Sequence, residues 1–479
     1  MNPLNPIHPA QPDSGPLGRA QEPEHLHINE AIDATTPAEI ATVVAVRQVM
    51  SPLLRAPVVE AAAIMPDCCP TGREPGTLPV GGVIAARNAI IPACHSSDVC
   101  CSMYATFFHP KENVARLLDI LMDVTRFGSG GRLDHELVHH PVIDEPVWDN
   151  PFLNGLQSYA IRHMADQGDG NHFAYIGRVS HASALAAKLA DKNHVSIASQ
   201  LHGVEEAWVL VTHHGSRGLG ANLYKRGIDA AIRNTKMVAK NIPPAASWLD
   251  YNTKEGRDYW AALEYVGRWT RGNHEAIHNL FMKSAHLVPI TSFGNEHNFV
   301  WRRGEIFVHG KGATPAWLDA AGVPLLGMVP LNMAAPILIV SGADNKTFLS
   351  FSPHGAGRNL SRTETKKAFR DDTGNLMETK VRKSLASQTA GLDIRWFCGR
   401  PDISESPMGY KSPESIIQQI EKFRLANVIG AIEPMGCIMA GDSPRPGEHS
   451  RMSKKQFRTM GHRADRRANK ASLRNLDYD

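Results

Sequence analysis

Ile91-Pro-Ala-Cys94-His95-Ser-Ser-Asp98-Val-Cys100-Cys101-Ser-Met103 decides how this chain is read. Asp98 and Cys101 set a hard and a soft metal ligand three residues apart, directly after a predicted strand over Val80–Ile91. Three more candidate ligands follow in polar, Gly-punctuated sequence. They are His172 in Gly170-Asn171-His172-Phe173, His213 in His213-His214-Gly-Ser-Arg217-Gly-Leu-Gly220, and His297 in Glu296-His297-Asn298. His354 stands in Pro353-His354-Gly355-Ala-Gly357-Arg358. Together these residues point to a metal centre beside a phosphate-binding nucleophile.

One Asp, one Cys and three His suffice for two divalent ions. A thiolate has enough lone pairs to bridge two cations. Cys101 is then shared, with His213 and His297 completing one site and Asp98 and His172 the other. Each site keeps open positions for phosphate oxygens, as catalytic sites do. Two adjacent cations stabilise the charge that develops in phosphoryl or nucleotidyl transfer. The ligand types leave the metal open, since thiolate and imidazole suit zinc while carboxylate and phosphate suit manganese or magnesium. A single His in a Gly-rich turn is more often a structural hydrogen-bonding residue than a ligand; the five together make the stronger case.

Gly168-Asp-Gly170-Asn171-His172 and His214-Gly-Ser-Arg217-Gly-Leu-Gly220 offer backbone N–H groups to phosphate, with Arg217 as a bidentate partner. His354-Gly355-Ala-Gly357-Arg358 puts an imidazole in a backbone-exposed turn, and an imidazole can attack phosphorus to form a phosphoramidate.

The surrounding sequence is that of an ordinary soluble globular protein, 42% hydrophobic and 21% charged over 479 residues. No apolar run reaches the length of a bilayer span, and the N-terminus lacks the regions of a signal peptide, so a cytoplasmic location is expected. The seven Cys include the adjacent pairs Cys68-Cys69 and Cys100-Cys101, a poor disulfide framework and a reasonable thiol or metal pattern. From Ser443 onward ten Lys/Arg stand against four Asp/Glu, a net +6 that leaves the preceding chain at −3 against the overall +3. A basic tail on a mildly acidic body suits a polyanion, or is simply a solvated tail.

Three regions are expected: a disordered, Pro-rich segment over 1–28, a catalytic domain over 29–442, and the basic tail over 443–479. Periodicity predicts helices over Ala38–Met50 and Glu112–Phe127, the latter with Leu117, Leu118, Leu121 and Val124 on one face. Ser412-Pro413 opens another, with Ile416, Ile417 and Ile420 on its apolar side. Strands are predicted over Ala207–Thr212, Glu305–His309, Pro336–Ser341 and Asn427–Ile432, with Gly81-Gly82 at a turn or close approach. Strands and helices mix irregularly, which predicts an α+β class rather than a doubly wound sheet.

Collinear motifs from Ala63 to Gly441 resemble the RNA-splicing ligase RtcB family. They are Met65-Pro-Asp67, Pro79-Val-Gly-Gly-Val83, Asp98-x-x-Cys101, Gly170-Asn-His-Phe173, His213-x-Gly-Ser-Arg-Gly-Leu-Gly220, His297-Asn298, Lys311-Gly-Ala-Thr314, His354-Gly-Ala-Gly-Arg358 with Ser361-Arg362, and Tyr410-Lys411. The resemblance implies packed β-sheets surrounded by helices around a dinuclear metal site. It implies joining of RNA 2′,3′-cyclic phosphate or 3′-phosphate ends to 5′-hydroxyl ends, with manganese and GTP. His354 would attack the α-phosphorus of GTP to give a histidine–GMP intermediate, and the guanylate would then pass to the RNA 3′-phosphate. Cys101 would bridge two manganese ions. Asn171, Asn298 and Arg358 would contact phosphates, Gly355 and Gly357 would lie against the nucleotide, and Tyr410 would line the base pocket. Arg217, Lys311 and Arg362 are candidate phosphate or RNA contacts. Protein partners are not specified.

The departures fall on nucleotide recognition. The family has Phe-Ile-Glu after Asn-His, and its Glu holds the guanine edge; here the stretch is Phe173-Ala174-Tyr175. The family's Pro-Gly-Ser-Met-Gly loop is Pro330-Leu-Asn-Met-Ala334, and its terminal Lys-Gly is replaced by Ala440-Gly441. An altered base specificity is therefore expected. A diverged nucleotidyltransferase, a cyclic-phosphate hydrolase on the same metals, or a non-catalytic RNA-binding protein are the alternatives.

Overall fold

The computed structural model describes residues 27–71, 76–110, 113–128 and 131–442. The basic tail, and all but the last two residues of the expected N-terminal segment, lie outside them. The boundary expected after residue 28 falls inside a strand, because Ile28–Glu30 pairs in parallel with Ala62–Ile64.

Two large sheets meet edgewise through a single residue. The first runs Ile28–Glu30, Val59–Cys69, Val80–Arg87, Ile306–Lys311, Asn298–Arg303. The second has eight strands. Its path is Pro289–Glu296, Ser102–Phe108, Ala207–His214, Phe173–Val179, Ala426–Met439, Ile337–Gly342, Leu326–Pro330, with Asp393–Trp396 parallel beside Ala426–Met439. Pro289–Glu296 belongs to the second sheet and Asn298–Arg303 to the first, so the chain crosses between them at His297. A small ribbon, Ala313–Pro315 with Phe351–Pro353, closes the junction. The class is α+β with helices packed around the sheets, as the sequence predicts.

Local signals set many of the elements. Thr36 caps the helix Pro37–Met50 in a reciprocal capping box with Glu39, and Pro37 needs no N–H partner at its first position. Ser412 caps Pro413–Lys422 by accepting from the Ser415 N–H, with Pro413 again at the first position. Val114–Val124 buries Leu117, Leu118 and Leu121, the face that periodicity predicts. The expected strand Val80–Ile91 is broken at Asn88, whose φ of +48° interrupts the ladder.

Two long helices, Arg217–Val238 and Lys254–Ala285, are not evident from the sequence. The first carries Gly218, Gly220 and Gly227, which read as loop. Gly227 instead marks where the helix backbone meets the Tyr259 ring: a Cβ there would lie 2.4 Å from it. The second helix is buried on several sides, with Tyr259, Tyr265 and Trp269 fully covered. Each such side chain contributes about 1.5–3 kcal/mol through burial. Their polar atoms are satisfied, Trp269 Nε1 donating to the Ala160 carbonyl at 3.2 Å and Tyr265 Oη to that of Val142 at 3.1 Å. No helix among the described residues is long and apolar enough to cross a membrane.

Candidate active site

Four adjacent strands of the eight-stranded sheet present their ends on one side. Cys101 immediately precedes Ser102–Phe108, His172 precedes Phe173–Val179, His213 ends Ala207–His214, and His297 follows Pro289–Glu296. Antiparallel register brings them level, with Ser102 opposite Glu296, Met103 opposite His213, and Phe173 opposite His213. The turn before Cys101 adds Asp98, and the His297 N–H donates to the Cys101 carbonyl at 2.9 Å.

Two donor triplets result, Cys101/His213/His297 and Asp98/Cys101/His172, each with ligand atoms within 4.8 Å of one another and both using Cys101. Cys101 Sγ lies 3.2 Å from His213 Nε2 and 3.5 Å from His172 Nε2. His172 Nε2 lies 2.9 Å from Asp98 Oδ2. His213 Nδ1 donates to the Asn171 carbonyl at 3.2 Å, which fixes the tautomer and leaves Nε2 as a lone pair. That lone pair faces His297 Nε2 at 3.1 Å, a repulsive arrangement unless a proton or cation lies between them.

Electrostatics favour a cation. Burial, with help from His172 and His354, pushes His213 down to about 3, and burial holds His297 well below its ordinary range. Both rings are therefore neutral ligands at neutral pH. Burial opposes charge on Asp98, but His172 and Arg217 outweigh it and hold the carboxyl below the usual range. Burial and the Asp98 carboxylate push the Cys101 thiol well up, and a bound divalent ion reverses that preference by taking the thiolate as ligand. The donor set fits two divalent cations sharing one sulfur.

His354 faces this cluster from the ribbon, its ring centroid 4.9 Å from that of His297. It is held by Asp67, a fully buried acid on Val59–Cys69 of the other sheet. Asp67 Oδ2 accepts from His354 Nδ1 at 2.6 Å, from its backbone N–H at 3.0 Å and from Gly355 N–H at 3.3 Å. With Nδ1–H committed to the carboxylate, Nε2 carries the free lone pair. Gly357 has φ +70°, and a Cβ there would lie 2.0 Å from the Asp67 carbonyl, so only glycine lets the turn close over Asp67.

A cavity of about 280 Å3 opens from His354. Its lining includes the polar side chains Asn171, His354, Arg358, Arg362, Glu405 and Tyr410 and the apolar or aromatic side chains Phe173, Tyr175, Leu331, Met333, Cys437 and Met439. Gly355 and Gly357 also line it. Arg358 lies over the Tyr410 ring, 4.9 Å from Cζ to centroid, and Tyr410 Oη donates to Glu405 Oε2 at 2.7 Å. Arg362 Nε meets Glu405 Oε1 at 2.8 Å.

The remaining candidates point elsewhere. Arg217 Nη2 donates to the Gly128 carbonyl at 3.2 Å, and its Nε lies 3.8 Å from the buried Asp166. Lys311 Nζ donates to Thr77 Oγ1 at 2.7 Å. Asn298 braces the site through backbone contacts, its Oδ1 accepting from Gly312 N–H at 2.7 Å and its Nδ2 donating to the Asp98 carbonyl at 3.4 Å. Neither Arg217, Lys311 nor Asn298 lines the cavity. Asp67 and Glu405 have no role assigned by sequence reasoning. The signal for Asp67 is an acid within the apolar strand Ala63-Ile-Met-Pro-Asp67-Cys68, since a carboxylate in that setting needs partners. Glu405 carries no comparable mark.

The RNA-splicing ligase RtcB of Escherichia coli K12 is 26% identical over 402 residues, covering 75% of this chain and 86% of its own. The tRNA-splicing ligase RtcB of Thermococcus kodakarensis is 24% identical over 441 residues, covering 78% and 86%. The RNA-splicing ligase RtcB of Mycobacterium tuberculosis is 26% identical over 345 residues, covering 64% and 74%. The family model described as tRNA-splicing ligase RtcB matches residues 149–440, a stretch that contains His172, His213, His297 and His354 and begins after Asp67, Asp98 and Cys101. With well over half its length matched, the chain belongs to the RtcB family of tRNA-splicing ligases.

Proposed function

We propose that this chain is an RNA ligase that joins a 2′,3′-cyclic phosphate or 3′-phosphate end to a 5′-hydroxyl end through a covalent histidine–nucleotide intermediate on His354. One juxtaposition carries the reading: an imidazole oriented by a buried carboxylate, facing a donor cluster suited to two metals, its ring centroid 4.9 Å from that of His297. The names of the relatives, tRNA- and RNA-splicing ligases, support RNA as the substrate class.

In this reading His354 Nε2 attacks the α-phosphorus of a nucleoside triphosphate, and the bond to the bridging oxygen breaks to release pyrophosphate. Asp67 holds the Nδ1 proton and balances the positive charge left on the ring. A 3′-phosphate oxygen of the RNA then takes the nucleotidyl group and restores free His354. The 5′-hydroxyl oxygen attacks the activated 3′-phosphate, and the nucleoside monophosphate leaves. A cyclic phosphate is first opened by water to the 3′-phosphate. Asn171, Arg358 and Arg362, which line the cavity, orient phosphate oxygens in this reading. Asp98, Cys101, His172, His213 and His297 would hold two manganese ions, which would supply charge stabilisation at phosphorus when bound.

Asp67→Asn keeps the shape but removes the charge and offers the wrong hydrogen-bond partner to Nδ1. Single-turnover nucleotidylation of His354 should slow by on the order of 10^2- to 10^4-fold. An unchanged rate would remove Asp67 from the mechanism.

GTP is the nucleotide the resemblance implies, but the lining of the cavity suits its base poorly. Tyr175 stands where the family's acid would reach the guanine edge, and its hydroxyl donates to the Ile432 carbonyl at 3.1 Å. Glu405, the carboxylate on the cavity wall, is already engaged by Arg362 and Tyr410. A largely apolar pocket discriminates by roughly 10- to 200-fold, against 10^4 or more for a site that hydrogen-bonds its substrate edge. GTP and ATP should therefore form the His354 adduct with efficiencies within about 10^2-fold of each other. A preference for GTP above 10^4 in a four-nucleotide comparison would defeat relaxed specificity. The same altered pocket favours a second reading, a cyclic-phosphate hydrolase, which stands if no triphosphate yields an adduct.

A further inference from the structure

Lys411 is 4% exposed and is not among the residues that line the cavity. An ammonium is costly to bury without strong acceptors. Its Nζ donates to the Pro66 carbonyl at 2.7 Å and to the Cys68 carbonyl at 2.9 Å, the residues on either side of Asp67. Its backbone N–H donates to the Gly357 carbonyl at 3.1 Å, in the turn that follows His354. The strand explains why the two carbonyls are available. Where Val59–Cys69 pairs with Val80–Arg87, Ile64 is opposite Gly82 and Cys69 is opposite Val80. Met65, Pro66, Asp67 and Cys68 thus stand against the single residue Gly81. A buried carbonyl freed from the ladder by such a bulge needs another donor, and Lys411 supplies it on both sides of Asp67. All three donors to Asp67 Oδ2 belong to His354 and Gly355, and Oδ1 is buried with no partner among the described residues. What fixes the carboxylate against the His354 turn is therefore its own backbone, and Lys411 holds that backbone.

We propose that Lys411 is a positioning residue for the nucleophile, pinning the bulge so that Asp67 meets His354 Nδ1, an inference that rests on the histidine–nucleotide reading. Lys411 ties together two segments far apart in the chain, the bulge of one sheet and the turn after the small ribbon. It acts through Asp67 and not on the nucleotide, so it governs the rate of attack and leaves nucleotide binding alone.

Lys411→Met keeps the aliphatic stem and removes the donors. Single-turnover nucleotidylation of the full chain is measured with this substitution in the wild-type and Asp67→Asn backgrounds, alongside melting temperature and metal content. In the wild-type background the maximal rate should fall by about 10^2-fold, the cost of a misplacement of about 1 Å. The triphosphate concentration at half-maximal rate should stay within about threefold. On Asp67→Asn the substitution should cost less than about threefold, because a residue that acts through Asp67 then has nothing left to position. Equal losses in the two backgrounds, or an unchanged rate in the first, overturn the proposal. If Lys411→Met melts too low to assay, Lys411→Gln, which leaves one amide donor, carries the same comparison with the same two outcomes. A crystal structure of the folded variant separates this proposal from the reading it rests on. There Asp67 Oδ2 should lie out of hydrogen-bond reach of His354 Nδ1. If the wild-type chain forms no adduct but the variant still loses that bond, the positioning role stands and the nucleotidyl-transfer reading falls. If the bond survives in the variant, the proposal falls whether or not an adduct forms.

Discussion

His354→Ala should form no nucleotide adduct by intact mass after incubation with manganese and any nucleoside triphosphate, and RNA joining should fall by about 10^4-fold or more. The wild-type chain should gain one nucleotidyl mass. No neighbour can stand in for the lost ring. Gly355 and Ala356 follow it, and His297 Nε2 is turned toward His213 at 3.1 Å. The substitution strands the buried Asp67 without its ring partner, at a cost of about 1–3 kcal/mol. Thermal melting and metal content therefore accompany the mass measurement. An adduct that persists in the variant would place the nucleophile elsewhere.

Cys101→Ser should cost both metal ions, whereas His297→Ala and Asp98→Ala should each cost chiefly one. The asymmetry follows from Cys101 belonging to both donor triplets while the other ligands belong to one each. Loss of an outer partner of a ligand typically weakens binding 10- to 100-fold, so losing a shared ligand should weaken each ion by about 100-fold or more. Metal per chain by mass spectrometry after dialysis, with titration of manganese, reads this directly. A Cys101→Ser protein that retains two ions would dissolve the shared-thiolate arrangement.

Several site residues are legible because their chemistry is local. Asp98, Cys101, His172, His213, His297 and His354 are reactive side chains at or beside strand ends, where a sheet presents functional groups. The capped helices Pro37–Met50 and Pro413–Lys422 are legible for the same reason, since cap, proline and apolar face lie within a few residues. The motifs likewise carry the family and with it the α+β class.

Tertiary structure alone decided what holds these groups. Asp67 and His354 are 287 residues apart, and only the meeting of two sheets brings the carboxylate to Nδ1. Arg217 and Lys311 sit in motifs that suggest phosphate contact, yet nearer partners, Asp166, Gly128 and Thr77, take them. The helix Arg217–Val238 hides behind its glycines because their purpose, close approach to Tyr259, lies in another helix. Residue type and short spacing fix which chemistry is present, because caps, turns and ligand types act over a few bonds. Which groups meet depends on strand register and packing between distant segments, and no local pattern encodes that.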